Sequence, residues 1–131
     1  MNNQSPMHIV RSFSDAMEAM DFATGLHYVA DDIEYINSPN TSVRGPSGIM
    51  AVLGPFFEPI EENEFVIRRQ VADGNIVVLE RLDRHRVPQG WFELPVTGVY
   101  EVHNGKITYW REYFDFDTIV KEMARVYGAA E

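Results

Sequence analysis

The stretch WFELPVTGVYEVHNGKITYWREYFD, residues 91–115, decides the fold class. It holds two runs rich in β-branched and aromatic residues, 91–103 and 106–114, joined by Asn104-Gly105, a pair typical of a tight hairpin turn. Two similar runs precede it, over residues 64–72 and 75–87. Their separators, Asp73-Gly74 and Pro88-Gln89-Gly90, also indicate turns. The pattern therefore predicts four consecutive antiparallel strands.

Helical signals dominate the N-terminal half of the chain. Ser5-Pro6 is typical of a helix start, and Val10, Phe13, Met17 and Met20 follow at helical spacing. We also expect a helix over residues 22–29, capped by Asp21, and a strand over 33–37. Gly45-Pro46 opens a further helix, which Pro55 should bend or end. A closing helix, capped by Asp115 or Asp117, should reach about residue 127. We predict an α+β fold in which a curved antiparallel (mixed) sheet wraps around the N-terminal helices and leaves a cone-shaped cavity.

Composition limits the classes of function. The chain has 131 residues, no cysteine, a formal net charge of −9 and 45% hydrophobic residues, so we expect one domain over residues 1–131 with a substantial core. Without cysteine, disulfides and cysteine-based zinc sites are excluded. The acidic balance argues against nucleic acid as a partner, because phosphate binding needs clustered lysine and arginine.

Neither a membrane nor a metal is expected. Residues 1–5 show no basic region followed by an apolar run, and the longest apolar stretch, 49–57, is interrupted by Gly54-Pro55, so we expect a soluble cytoplasmic protein. His8, His27 and His103 lack the spacing of metal ligands.

Strand periodicity sorts the polar residues by face, since side chains two apart lie on the same side of a strand. The faces of interest are Val77, Leu79, Arg81, Asp83 and His85 on one strand; Phe92, Leu94, Val96, Gly98 and Tyr100 on the next; Thr108, Trp110, Glu112 and Phe114 on the last; and Ile33, Tyr35 and Asn37 on the early strand. If these faces converge, an apolar cavity holds a phenol, an amide, a guanidinium and two carboxyl groups.

Charge balance restricts the chemistry of such a cluster. Two ionised carboxylates beside one guanidinium leave an unbalanced buried negative charge, whereas one retained proton makes the group neutral. Asp83 and Glu112 would then supply an acid and a base side by side, and Tyr35 and Asn37 are suited to hold a water molecule. The pattern indicates water activation combined with protonation of a leaving oxygen.

Each residue also has a structural interpretation. Arg81 and Asp83 are typical of an ion pair on an exposed strand face, and Glu112 of a cross-sheet pair. A lone tyrosine such as Tyr35 is usually a core residue, Asn37 before Ser38-Pro39 fits a turn, and His85 fits a partly exposed strand histidine.

At several segments the chain resembles the limonene-1,2-epoxide hydrolases, small members of the nuclear-transport-factor-like, ketosteroid-isomerase-like superfamily. The matching segments are Tyr35-Ile36-Asn37, Glu80-Arg81-Leu82-Asp83, residues 93–100 and residues 104–115. The resemblance spans most of the chain, and the Arg-x-Asp and Trp-Arg-x-Tyr-Phe-Asp segments are specific when they occur together.

The resemblance implies a cofactor-independent, one-step opening of an epoxide to a vicinal diol, without a covalent enzyme intermediate. In that mechanism Asp83 is the general acid, Arg81 bridges the two carboxyls, and Tyr35 and Asn37 hold the nucleophilic water. Leu94, Val96 and Phe114 line the apolar pocket, beside which we also place His85. The family usually has aspartate where this chain has Glu112, whose extra methylene moves the carboxylate by about one bond length. The resemblance also implies a homodimer, with the sheet face of Tyr109 and Tyr113 as a plausible contact.

Three functions are open at this point. The first is hydrolysis of a small apolar, terpene-like or alicyclic epoxide. The second is a lyase or isomerase of the same superfamily, in which Asp83 and His85 move a proton on a steroid-like or polyketide-like ring. The third is a non-catalytic binder of apolar ligands.

Overall fold

A computed structural model, which describes residues 5–128, has the expected α+β architecture. In chain order the elements are α1 Pro6–Glu18, α2 Phe22–Leu26, β1 Val29–Asn37, β2 Val43–Arg44, α3 Gly45–Phe57, β3 Glu62–Asp73, β4 Ile76–Val87, β5 Gly90–His103, β6 Lys106–Tyr113 and α4 Phe116–Gly128. The strands form one open six-stranded sheet in the order β2-β1-β6-β5-β4-β3.

The sheet is mixed, as expected. Strands β3 to β6 form an antiparallel meander, while β1 pairs with β6 in parallel. In the last hairpin, Asn104 and Gly105 have φ values of 52° and 77°, the pair of positive angles that a tight two-residue turn requires. The hairpin predictions are therefore confirmed.

Several element boundaries differ from the sequence-based expectation. Helix α2 ends at Leu26, so Val29, which was expected to end that helix, instead begins β1 and pairs with Ile107. Met20 lies beyond α1 with φ of 58°. Strand β2 was missed, because two residues are too few to show a period. Strand β6 ends at Tyr113, so Phe114 lies just past it.

Pro55 does not end helix α3, which continues to Phe57, so the expected end there is wrong and the alternative of a bend stays a prediction. A proline inside a helix removes the donor for the carbonyl four residues earlier. That residue is Ala51, which is exposed. The helix therefore continues past Pro55 without that hydrogen bond.

The expected faces are confirmed on β4 and β5. On β6 they are confirmed for Trp110 and Glu112, but Thr108 is only half-buried and Ile107 is buried instead, because the pairing with β5 shifts register there. On β4 the residues Val77, Leu79, Arg81, Asp83 and His85 are all buried, while their neighbours along the strand are not. Helix α1 packs on this face of the sheet, where Phe13 contacts Trp110 edge-to-face at 5.0 Å between ring centroids. Trp110 in turn stacks on Tyr35 at 4.1 Å. This aromatic packing fixes β1 and β6 beneath the helix.

Two expectations of wider scope stay predictions. The expected single domain spans residues 1–131, of which residues 1–4 and 129–131 lie outside the described part. The expected cytoplasmic location rests partly on residues 1–5, and most of these also lie outside it. Within residues 5–128, every helix is too short or too polar to cross a bilayer.

Strand β1 carries Tyr35 and Asn37, and its anchor is Ile33, which is completely buried. We predict that Ile33→Ala lowers the free energy of unfolding by about 2–5 kcal/mol, because it leaves a cavity in the core. Ile76→Ala on β4 is the matched control, since Ile76 is 41% exposed; it should cost less than about 1 kcal/mol. Urea unfolding of both variants measures the difference, and equal costs would contradict the packing described.

Candidate active site

A cavity of about 370 Å³ lies between the buried face of the sheet and helices α1, α3 and α4. Every site residue expected from the sequence lines it: Tyr35, Asn37, Arg81, Asp83, His85, Leu94, Val96, Glu112 and Phe114. The remaining wall is largely apolar, with Phe13 from α1, Phe56 from α3 and Ile119 from α4 among its members. The predicted cone shape of the cavity stays a prediction.

Arg81 is the centre of the polar cluster in this cavity. Its Nε and Nη2 donate to the two oxygens of Asp83 at 2.8 and 2.9 Å. Its Nη2 and Nη1 donate to the two oxygens of Glu112 at 2.5 and 3.3 Å, and Nη1 also donates to the hydroxyl of Tyr100 at 2.9 Å. Each N–H of the guanidinium therefore has an acceptor, and Nη2 is shared by both carboxyl groups.

Burial distinguishes this cluster from a surface ion pair. Arg81 is 5% exposed, and Asp83 and Glu112 are each 7% exposed. Burial opposes the charge of Arg81, but Glu112, Tyr100 and Asp83 outweigh it and raise the pKa of the guanidinium well above its ordinary value. Arg81 is therefore a permanent cation in this cavity, and the exposed ion pair considered above is not what forms.

Gly98 makes room for the longer side chain of Glu112. The two residues are directly opposite on β5 and β6. A Cβ atom on Gly98 would lie 2.5 Å from Oε2 of Glu112 and 2.7 Å from the hydroxyl of Tyr100, both closer than atoms can approach. The glutamate carboxylate reaches Arg81 because it occupies the space above this glycine.

Tyr35 and Asn37 lie next to Glu112 through the parallel pairing of β1 with β6. Asn37 is the direct partner of Glu112, and Tyr35 is the partner of Trp110. Burial, with a further contribution from Glu112, raises the pKa of Tyr35 well above its ordinary value, so its phenol stays protonated. A neutral phenol and an amide both donate and accept hydrogen bonds, which suits them to hold water beside a carboxylate.

Tyr100 belongs to the cluster, although the sequence analysis counted it only among the apolar residues of its strand. It is 1% exposed, and burial raises the pKa of its phenol above the ordinary value. Its hydroxyl accepts a hydrogen bond from Arg81 and so helps to orient the guanidinium. The available signal was its position on the same face as Leu94 and Val96, two residues beyond Gly98.

His85 is buried rather than partly exposed, with 2% of its surface accessible. Its Nδ1 lies 2.7 Å from Oδ1 of Asn63, and the rings of Phe56 and Phe92 lie 5.1 Å away. Burial lowers the pKa of His85 to about 4, with Asp83 acting in the opposite direction and Arg81 in the same one. The imidazole is therefore neutral near pH 7.

The cavity is not arranged as a metal site. Among residues 5–128, no three histidine, aspartate or glutamate side chains lie together as metal ligands would. What the geometry offers chemically is an acid–base pair of carboxyls bridged by a cation, within a largely apolar enclosure.

Comparisons with known proteins identify the family of the chain. Residues 4–125 match the model of the limonene-1,2-epoxide hydrolase catalytic domain. The chain is 33% identical over 116 residues to the epoxide hydrolase EphG of Mycobacterium tuberculosis. The aligned residues cover 88% of this chain and 77% of EphG.

Two solved structures illustrate the fold. A limonene-epoxide-hydrolase-like epoxide hydrolase from M. tuberculosis has a TM-score of 0.79 and 32% identity, covering 95% of this chain and 93% of its own. A protein described as a SnoaL-like polyketide cyclase, from Shewanella putrefaciens, has a TM-score of 0.82 and covers 95% of this chain and 98% of its own. At 17% identity the second likeness shows the fold alone.

The contact between Gly98 and Glu112 yields a prediction. Gly98→Ala forces Glu112 and Tyr100 apart and should lower the free energy of unfolding by about 1–3 kcal/mol. Gly128→Ala is the control, since within residues 5–128 a Cβ there meets no atom within 4 Å beyond its chain neighbours and the backbone of its own helix; its effect should stay within about 0.5 kcal/mol. Chemical denaturation measures both, and a neutral Gly98→Ala would show that the space is not filled.

The low pKa of His85 yields a prediction about pH. The unfolded histidine binds a proton near pH 6.5, whereas the folded one does so only near 4, so its contribution to stability is complete above pH 6.5 and is lost as the pH falls towards 4. The loss should reach up to about 3 kcal/mol. Unfolding free energies measured at intervals between pH 7 and 4 should therefore fall less steeply for His85→Leu than for the wild type.

The control for this measurement is His8→Leu, because His8 is exposed. It should leave the slope as in the wild type. If His85→Leu also keeps the wild-type slope, His85 is not held neutral by burial.

Proposed function

The chain belongs to the limonene-1,2-epoxide hydrolase family and is a hydrolase of that type, and from this premise we propose that it opens an apolar, terpene-like or alicyclic epoxide to a vicinal diol in one step. In the proposed reaction, water attacks one epoxide carbon while the ring oxygen takes up a proton. Both events occur within the cavity that holds Arg81, Asp83 and Glu112. The observation that carries the proposal is that Arg81 binds both carboxyl groups there.

The order of strands supports the assignment of roles. Asn37 and Tyr35 lie on β1, which is the direct neighbour of β6, the strand that carries Glu112. Asp83 lies on β4, which β5 separates from β6. The water-holding groups are therefore next to Glu112 and farther from Asp83. We assign Glu112 as the base that takes a proton from the water, and Asp83 as the acid that protonates the epoxide oxygen.

The proton count is consistent with these roles. One guanidinium and two carboxyl groups are neutral together when they share one proton, and a buried cluster favours that state. Asp83 carries the proton before the reaction and gives it to the epoxide oxygen, while Glu112 receives one from water. The cluster thus ends with the same number of protons, and one proton transfer from Glu112 to Asp83 restores the starting state.

The walls of the cavity support an apolar substrate. Leu94, Val96 and Phe114 lie beside the cluster, and helix α4 adds Ile119 and Val120. The volume of about 370 Å³ is near the lower end of the ~300–1,000 Å³ usual for ligand pockets, which suits a small ring system. A homodimer through the sheet face of Tyr109 and Tyr113, and a cytoplasmic location, stay predictions.

The reaction is tested by a single turnover in ¹⁸O-labelled water with enzyme in excess over an alicyclic epoxide such as limonene oxide. Direct attack by water puts the label into the diol in the first turnover, whereas an ester intermediate would deliver an unlabelled carboxylate oxygen. Asp83→Asn keeps the size of the side chain but cannot donate the proton, so kcat/KM should fall by about 100- to 10,000-fold. Mass spectrometry of the diol gives both results.

Asp73→Asn is the matched control, because Asp73 is exposed and far along the sheet from Asp83. It should keep wild-type activity. Diol formation that survives in Asp83→Asn would contradict the role of Asp83. Tight binding of the epoxide without turnover by the wild type would indicate a ligand binder instead.

A further inference from the structure

His85 is a buried polar residue that the proposed reaction does not use. It lies two residues from Asp83 on the same face of β4, which puts the two side chains roughly 6.5–7 Å apart along the strand. It also lines the cavity. An imidazole surrounded by phenylalanine rings in an otherwise apolar wall needs a hydrogen-bonding explanation.

A chain of hydrogen bonds fixes which nitrogen of His85 carries the proton. Nδ2 of Asn63 donates to the carbonyl of Glu18 at 3.2 Å, so Oδ1 of Asn63 faces His85 as an acceptor. Nδ1 of His85 must then be the donor, and in a neutral imidazole Nε2 is left as an acceptor. The amide of Asn63 thus sets the tautomer from the opposite side of the ring.

The same chain holds the ring in place. The carboxylate of Glu18 accepts from the backbone N–H of Phe65 at 2.7 Å, in addition to the carbonyl contact with Asn63. These two bonds join the end of α1 to β3. The orientation of His85 is therefore set by two elements of the fold rather than by the side chain alone.

Resting on the proposed epoxide hydrolysis, the geometry points to Nε2 of His85 as a specificity-determining acceptor for a hydroxyl group on the substrate. The substrate is then an epoxide whose apolar ring carries a hydroxyl on the side away from the oxirane, about one ring width from the oxygen that Asp83 protonates. An apolar ring without such a donor leaves Nε2 buried without a partner, which costs binding energy. Two residues of one strand thus bind the two ends of the substrate: His85 accepts from the hydroxyl, and Asp83 protonates the epoxide oxygen.

The test compares three racemic epoxides that differ in one group: those of 4-(hydroxymethyl)cyclohexene, 4-ethylcyclohexene and 4-(fluoromethyl)cyclohexene. The wild type should favour the hydroxymethyl compound in kcat/KM by about 10- to 100-fold over both others, since only it donates a hydrogen bond. His85→Leu should abolish this preference and raise kcat/KM for the ethyl compound. Equal rates on all three, or a preference for the ethyl compound by the wild type, would overturn the inference.

Asn63→Ala provides a second variant that leaves His85 in place. Without Asn63 the tautomer and the orientation are no longer set, so the preference for the hydroxymethyl compound should shrink by about 10-fold, whereas a purely structural change would lower all three rates together. Retention of the full preference in Asn63→Ala and in His85→Leu would overturn the inference.

Failure of the proposed hydrolysis gives a different result. If the wild type forms no diol from any of the three epoxides, that function is wrong, and binding of unreactive probes then tests His85. Cyclohexylmethanol should raise Tm more than ethylcyclohexane in the wild type and not in His85→Leu. The absence of that difference would overturn the assignment of His85.

Discussion

One buried guanidinium bonded to two carboxyl groups is the interaction on which the rest of the structure depends. Arg81 lies on β4 and binds Asp83 on its own strand and Glu112 on β6, with β5 between them. Buried ion clusters of this kind are often no more stabilising than well-packed apolar residues of the same volume, and loss of one partner leaves an uncompensated charge. Stability alone therefore does not account for the cluster, whereas the proposed reaction gives a use for two carboxyl groups held in place by one cation.

The same strand shows how location decides what a charge does. On the outer face of β4, Glu80 pairs with Arg69, and Arg84 pairs with Glu93, and all these side chains are partly or largely exposed. Exposed pairs contribute about 0–1 kcal/mol, because water competes for them. On the inner face the equivalent groups are removed from water, so their contacts with one another set their orientation. A shift of one residue in register would exchange the two sets.

The hairpins and the faces of the strands could be predicted because turn residues and two-residue periodicity are local properties of the sequence. They placed the hairpins and sorted the faces of β4 and β5 correctly. On β6 they failed at Thr108, because an irregular pairing buries Ile107 instead. The start of β1 at Val29 involves pairing with Ile107, a contact between distant residues that no local pattern records. For the site, the pattern brought Arg81, Asp83 and Glu112 to one face. It could not show the contact of Tyr100 with Arg81, since that bond joins residues that are close only in the folded sheet.

The two tyrosines and the histidine of the cavity share one electrostatic property: each is uncharged near neutral pH. Burial keeps the phenols of Tyr35 and Tyr100 protonated by raising their pKa values, and it keeps His85 neutral by lowering its pKa. The charge of Arg81 is balanced when the two carboxyls share a proton. In the proposed reaction, oriented dipoles in this space act at low dielectric on the charge that develops as the epoxide opens. The apolar wall therefore contributes to the proposed reaction, because a low dielectric strengthens the interactions of a few fixed polar groups.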